Sequence, residues 1–146
     1  MAKQEDLDLI WQYSRFYAES IYSCEMLFLN ENGYPALLLL FAVVENVCKS
    51  IIEDYNLSFY EVVERLETIH FINRVEKNFL SKNDFSIRKI RNLVVHEDLM
   101  SIFYVDENEI FYPLYENESC LKLYKQLFEP SLDIIIKLIK AKLKIS

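Results

Sequence analysis

The sequence predicts an all-α protein, a bundle of about five helices with a small β-hairpin near residues 102–112.

 Three observations lead to this fold class. The 146 residues include one glycine and three prolines, which is too few for the tight turns of a many-stranded sheet. Hydrophobic residues make up 52% of the chain, enough for a sizeable core. Apolar residues recur at helical spacing through most of the chain. We therefore expect one helical domain spanning residues 1–146.

The first two helices are predicted on either side of a turn. Residues 5–30 carry apolar side chains near the spacing of an amphipathic helix. The following turn contains Gly33, which we expect just past the end of that helix, and Pro35, which suits the start of the next. Residues 36–54 are predicted to form the second helix. Its first turns are almost entirely apolar, so we expect it to be the central and most buried element.

A capping signal marks the third helix. Ser58 followed by Glu61 matches a capping box, in which each side chain binds a backbone N–H of the other residue. This predicts a helix over residues 59–69. Residues 70–80 then predict a further helical turn or two.

The last part of the chain combines helices with two short β-prone runs. Asp84 or Ser86 could cap a helix that ends near His96. The β-prone runs follow around a polar turn, which predicts the hairpin. A last helix or pair of helices covers residues 119–145, with Pro130 as a break or kink.

Composition excludes several classes of function. One glycine is too few for the glycine-rich phosphate loops or the nucleophile elbow. The three cysteines form no CxxC pair, so we expect reduced core residues in a cytoplasmic protein. The longest apolar run, residues 35–44, is too short to cross a bilayer, and no membrane partner is expected. With two histidines 26 positions apart, neither a metal nor another cofactor is predicted.

Charge is distributed unevenly along the chain. The net charge of −7 opposes general nucleic-acid binding by the whole surface. Residues 81–96, however, contain four basic residues and one acid, whereas residues 97–118 contain seven acids and no base. A local basic site for an anionic ligand is therefore compatible with the acidic total.

The strongest candidate for chemistry is the cluster Arg91, Asn92 and His96 in that basic segment. A histidine can move protons at neutral pH, a guanidinium can bind a phosphate and offset its charge, and an amide can orient either group. Asn92 and His96 share a helical face, but Arg91 and His96 lie about 140° apart around an ideal helix. They could meet through the length of the arginine, an unwound helix end or a second copy of the chain. The alternative is structural, because cationic residues and Asn also stabilise a helix C-terminus.

The cluster Arg91-Asn92-x3-His96 resembles the R-x4-6-H signature of the HEPN superfamily. The apolar helix over residues 37–44 followed by Glu45 resembles the corresponding helix of that family, and the chain length fits a HEPN-like bundle. Asp98 stands where the variant that pairs with a nucleotidyltransferase antitoxin carries a tyrosine.

The resemblance implies a homodimer in which the motifs of two copies form one metal-independent endoribonuclease site. His96 would then be the general base or acid, Arg91 would stabilise phosphorane charge and Asn92 would orient the site. Single-stranded RNA would be the substrate, and the biological setting a toxin or defence effector with an antitoxin or other partner protein.

Three further residues are candidates for the same site. Glu45 could hold Arg91 or His96, or could simply end a buried helix. Arg88 and Lys89 are candidates for contact with RNA, because they lie in the same basic segment. The alternative function is a non-catalytic HEPN-like module that binds a partner protein or a nucleotide, which the net charge of −7 favours.

Overall fold

The computed structural model describes residues 1–96, 103–105 and 108–145. Within them the helices are, in chain order, α1 (Gln4–Tyr13), α2 (Arg15–Leu29), α3 (Gly33–Ile52), α4 (Phe59–Thr68), α5 (Arg74–Lys77), α6 (Ile87–His96) and α7 (Asn117–Leu143), and a π-helical turn (Asn78–Lys82) continues α5. The described chain is mostly helical, so the all-α class is confirmed.

The prediction of one helix over residues 5–30 is wrong, because the chain breaks at Ser14. This residue is extended (φ −157°, ψ 116°) and separates α1 from α2. Its hydroxyl accepts a hydrogen bond from the backbone N–H of Tyr17 at 3.2 Å, so it caps the start of α2. A serine that can bind the backbone locally competes with the helix, which the apolar spacing alone does not reveal.

The predicted position of Gly33 is also wrong. It is the first residue of α3, and the left-handed conformation after α2 is adopted by Glu31 (φ 62°). A Cβ atom on Gly33 would lie 2.7 Å from the backbone oxygen of Asn117 and 2.9 Å from Cβ of Cys120. The glycine is therefore required by the close approach of α3 to α7. The side chain of Asn117 joins the two, since its Oδ1 accepts from the Gly33 N–H at 2.8 Å.

Helix α3 is the central element, as predicted, and packs against α2, α4, α6 and α7. Its buried residues include Leu37, Leu40, Phe41, Val43, Val44, Val47, Cys48 and Ile51. Among the described residues, α3 is the one helix that is long and apolar enough to cross a membrane. However, 56% of its 18-residue apolar stretch is buried inside the fold. The apolar run of residues 35–44 is shorter than this helix, because α3 begins at Gly33 and continues to Ile52 through the more polar residues that follow the run.

The predicted capping box at the start of α4 is confirmed. Ser58 Oγ accepts from the Glu61 N–H at 3.2 Å, and the Glu61 carboxylate faces the Ser58 N–H at 3.4 Å. A second capping box, formed by Asn73 and Glu76, starts α5. These local signals determine where α4 and α5 begin.

A short strand pair and one long helix follow α6. Strand β1 (Phe103–Val105) pairs antiparallel with β2 (Phe111–Pro113). This pair lies in the region of the predicted hairpin, whose residues 106 and 107 are outside the described chain. Helix α7 then passes through Pro130 without ending, so of the two alternatives the single helix is present. Buried residues on both sides of Pro130 keep α7 against the core despite the missing backbone N–H.

Candidate active site

Helix α6 carries the whole predicted motif and buries one face against the core. Ile87, Ile90 and Val94 on that face are no more than 3% exposed. The hydroxyl of Ser86, one of the two predicted caps, accepts from the backbone N–H of Lys89 at 3.3 Å. Packing and this cap fix the position of α6, so its exposed faces have a defined orientation relative to α3.

Arg91 is ion-paired with Glu45 of α3. Nη2 of Arg91 donates to Oε1 of Glu45, and Oε2 of the same carboxylate pairs with Nζ of Lys49 at 2.9 Å. The side chains of Arg91 and Glu45 are 27% and 21% exposed, so the pair is partly buried but reachable from solvent. Of the two partners expected for Glu45, the structure brings Arg91 to it. One carboxylate thus holds two cations and fixes the position of the guanidinium.

A depression of about 230 Å³ opens beside this ion pair. It lies between α3 and α6 and is lined by Leu38, Phe41, Ala42, Glu45, Asn46, Arg91 and Val95. The contact with Glu45 uses one guanidinium nitrogen, whereas a guanidinium carries five N–H donors. An arginine held in this way at the wall of an open depression can bind a phosphate while it stays paired with Glu45.

Asn92 and His96 lie one helical turn apart on α6. Asn92 is half-buried, and His96 is the last residue of the helix, with a side chain outside the described part of the structure. Since α6 is helical throughout this stretch, Arg91 and His96 start from different sides of the helix backbone. Their convergence in one site, within a chain or between two, therefore stays a prediction.

The two predicted RNA-contact residues are engaged in packing within the chain. Arg88 donates from Nε to Oγ of Ser81 at 2.9 Å and from Nη2 to the Ser81 carbonyl at 3.0 Å. Its guanidinium also lies 5.1 Å from the ring centre of Tyr60. Lys89 donates from Nζ to the carbonyl of Lys82 at 3.0 Å. Both side chains join α6 to the preceding π-helical turn, which is a structural role.

Two residues beside Arg91 were not singled out from the sequence. Lys49 follows Glu45 by one turn, and this i,i+4 spacing is a signal that could have been used. Asn46 lies at the edge of the depression and is exposed on a mostly buried helix. An exposed amide next to an acid on the central helix is a weaker signal, because its importance depends on where α6 packs.

Other reactive groups do not form a competing site in the described chain. No group of three or more His, Cys, Asp or Glu side chains that could hold a metal occurs in the part of the chain that is described. Burial raises the pKa of the Cys24 and Cys48 thiols to about 12 and that of Cys120 to about 11. All three cysteines are free and buried, as predicted, and protonated thiols are poor nucleophiles.

Comparison with known proteins gives no match to this chain. No protein-family model matches the chain, and neither does any curated protein or solved structure.

Proposed function

We propose that this chain is a metal-independent endoribonuclease of the HEPN type, with a HEPN-like bundle and a composite site between two copies. Its substrate is single-stranded RNA, and its biological role is that of a toxin or defence effector. The observation that carries the proposal is Arg91, held by Glu45 at the wall of an open depression and followed along α6 by Asn92 and His96.

The chemistry needs one proton acceptor, one proton donor and a cation. In the proposed reaction His96 of one copy takes the proton from a ribose 2′-hydroxyl, and the 2′-oxygen attacks the adjacent phosphorus. The bond from phosphorus to the 5′-oxygen breaks, and the second His96 protonates that oxygen. Arg91 offsets the charge that grows on the phosphoryl oxygens. The products are a 2′,3′-cyclic phosphate and a 5′-hydroxyl end.

Exposed apolar side chains support a second copy next to the site. Leu93 and Val95 on α6 are 43% and 54% exposed, and Ala42 on the facing helix is also exposed. Apolar residues grouped around a polar centre are typical of an association surface. A two-fold axis near α6 would bring the motifs of two copies together and remove the need for Arg91 to reach His96 along one helix.

The test is cleavage of single-stranded RNA in EDTA by wild type, Arg91→Ala and His96→Ala. We expect wild type to cut and each variant to lose about 100-fold or more in rate. Arg74→Ala is a matched control, because Arg74 is an exposed arginine that also pairs with a glutamate. His70→Asn is the histidine control, since Asn tolerates the left-handed backbone at that position (φ 65°).

A substrate with a single 2′-deoxy nucleotide separates this mechanism from hydrolysis by activated water. We expect the bond after that nucleotide to resist cleavage, because the attacking oxygen is missing. A wild-type protein that cuts no RNA, or variants that cut as fast as wild type, would contradict the proposal.

A second candidate function is a non-catalytic module that binds a partner protein, such as an antitoxin, or a nucleotide. The observation in its favour is that Arg91 and the two neighbouring cations Arg88 and Lys89 all have partners within the chain. In that case Arg91 would serve to hold α6 on α3. Stable capture of a partner together with no RNA cleavage would favour this candidate.

A further inference from the structure

A second hollow lies next to the depression that contains Arg91. Its volume is about 450 Å³, within the range of ligand-binding pockets. It is formed by the junction of α1 with α2, by the second half of α3 and by the segment after α3. The lining residues are Tyr13, Ser14, Phe16, Tyr17, Asn46, Ser50, Glu53 and Tyr55.

Two exposed aromatic rings stand at this hollow. Phe16 and Tyr55 are 66% and 63% exposed, although each would gain by burial. Phe16 is fixed on one side by an edge contact with Tyr17, at 5.9 Å between ring centres and 60° between planes. Tyr17 is in turn stacked on Tyr13 at 6.3 Å. Phe16 is therefore held by packing and still presents ring surface to solvent.

The inner part of the hollow is polar. The hydroxyl of Tyr13 lies 2.8 Å from Oγ of Ser50, and Ser50 donates to the carbonyl of Val47 at 2.7 Å. The hydroxyl of Tyr17 donates to the carbonyl of Asn46 at 3.1 Å. Hydroxyl groups beside exposed rings suit a flat ligand with polar edges better than they suit a purely apolar side chain.

Asn46 lines both this hollow and the depression beside Arg91. Asn46 directly follows Glu45, Ser50 lies about 6 Å further along the axis of α3, and Glu53 follows the last residue of that helix. The two concave surfaces are thus neighbours on one helix, with the guanidinium at one end and the exposed rings at the other.

The acids along this track have cationic partners. Glu45 binds Arg91 and Lys49, and Glu53 pairs with Lys142 of α7 at 3.2 Å. These pairs reduce the repulsion that an anionic strand would otherwise meet on a protein of net charge −7. A polyanion can therefore follow α3 in spite of the acidic total.

We propose that this hollow binds a base of single-stranded RNA that stacks on Phe16 or Tyr55 while an adjoining phosphate lies at Arg91. Stacking of bases on aromatic side chains accepts any base and stabilises single-strand binding. The inference rests on the proposed function, because it assigns the phosphate to Arg91. It adds a binding subsite formed by α1, α2 and the segment after α3, outside the predicted motif.

The first test measures binding without cleavage. A fluorescein-labelled RNA oligonucleotide with 2′-O-methyl groups throughout is titrated with wild type and with the double variant Phe16→Ala/Tyr55→Ala. We expect the double variant to bind about tenfold more weakly or worse. Tyr22→Ala is the matched control, because Tyr22 is a 55% exposed tyrosine of α2 that lines a different hollow. Equal thermal unfolding midpoints would show that all variants are folded.

The second test locates the base directly. An oligonucleotide that carries 5-iodouridine is cross-linked by ultraviolet light, and the modified peptide is identified by mass spectrometry. We expect the cross-link at Phe16 or Tyr55. Equal binding by the double variant, no binding by wild type, or cross-links confined to other residues would each overturn the proposal. Loss of a protein partner with unchanged oligonucleotide binding would assign the hollow to a peptide instead.

The two proposals fail in distinguishable ways. A protein that cuts RNA but binds the oligonucleotide equally well with and without the two rings retains the proposed function and loses the subsite. A protein that needs the rings for binding but cuts no RNA retains the subsite and loses the catalytic function.

Discussion

Arg88 and Arg91 lie three residues apart on α6, but they meet very different surroundings. Arg88 donates two hydrogen bonds to Ser81, a residue that is 1% exposed, and lies over Tyr60. Arg91 pairs with a carboxylate that it shares with Lys49, at the wall of an open depression. The difference teaches that a basic stretch in a sequence does not tell which of its charges a ligand can reach.

Replacing each arginine by lysine gives the largest contrast. Lysine keeps the charge but loses the planar fork that binds a phosphate and a carboxylate together. We expect Arg91→Lys to lower the rate of RNA cleavage about 100-fold, and Arg88→Lys to leave it within a fewfold of wild type. The two rates are measured by single-turnover cleavage of the same RNA. Equal losses at the two positions would mean that Arg88 also serves the site.

Stability reverses the order of the two positions. Arg88→Ala leaves the hydroxyl and carbonyl of the buried Ser81 without these donors, so we expect the free energy of unfolding to fall by about 1–3 kcal/mol. Arg91→Ala leaves Glu45 paired with Lys49, so we expect a loss of at most about 1 kcal/mol. Urea unfolding followed by circular dichroism compares them. A larger loss for Arg91→Ala would identify Arg91 as a structural residue first.

Part of the fold and of the candidate site could be predicted from the sequence. Local signals were sufficient for the capping box of Ser58 and Glu61, because all its atoms lie within one turn. They narrowed the cap of α6 to Asp84 or Ser86, and the structure has Ser86. Helical spacing predicted the extent of α6. The motif residues were singled out by their types and spacing. Glu45 was suggested as a partner of Arg91 or His96 or as the end of a buried helix, and the structure pairs it with Arg91.

What could not be predicted depends on contacts between distant segments. Gly33 is determined by Asn117, 84 residues away, and no local pattern contains that information. Ser14 ends α1 and caps α2 through a local hydrogen bond, but a serine can also continue a helix, so its residue type alone did not predict the break. The role of Arg88 depends on Ser81 lying behind α6, so a charge count over residues 81–96 overstated the positive charge available to RNA.

Glu45→Gln sharpens the comparison with a smaller change. The variant keeps the shape of the side chain but removes the negative charge with which both Arg91 and Lys49 pair. We expect unfolding to become easier by about 1 kcal/mol at low salt and by less at high salt, because salt screens the lost attraction. Urea unfolding at two salt concentrations checks this. A loss that does not depend on salt would point to packing rather than charge.

The smallest effect concerns the buried thiols of the core. Burial, followed by the nearby Glu45 carboxylate, raises the pKa of Cys48 to about 12. An exposed thiol in the unfolded chain titrates near pH 8.5, so between about pH 8.5 and 12 the unfolded state binds fewer protons and stability falls as the pH rises. We expect no reaction of native protein with a thiol reagent at pH 8. Rapid labelling of Cys48 under those conditions would contradict its burial.

Mixing wild type with the inactive variant His96→Ala tests the composite site most directly. The two proteins are unfolded together, refolded at equal concentrations and assayed on single-stranded RNA in EDTA, beside the same total amount of wild type and of the variant refolded alone. If each site needs His96 of both copies, only dimers of two wild-type chains cut RNA, and these are a quarter of all dimers. We expect the mixture to have about a quarter of the activity of wild type alone. Half of that activity, which is what copies with independent sites would give, would contradict a site shared between two copies.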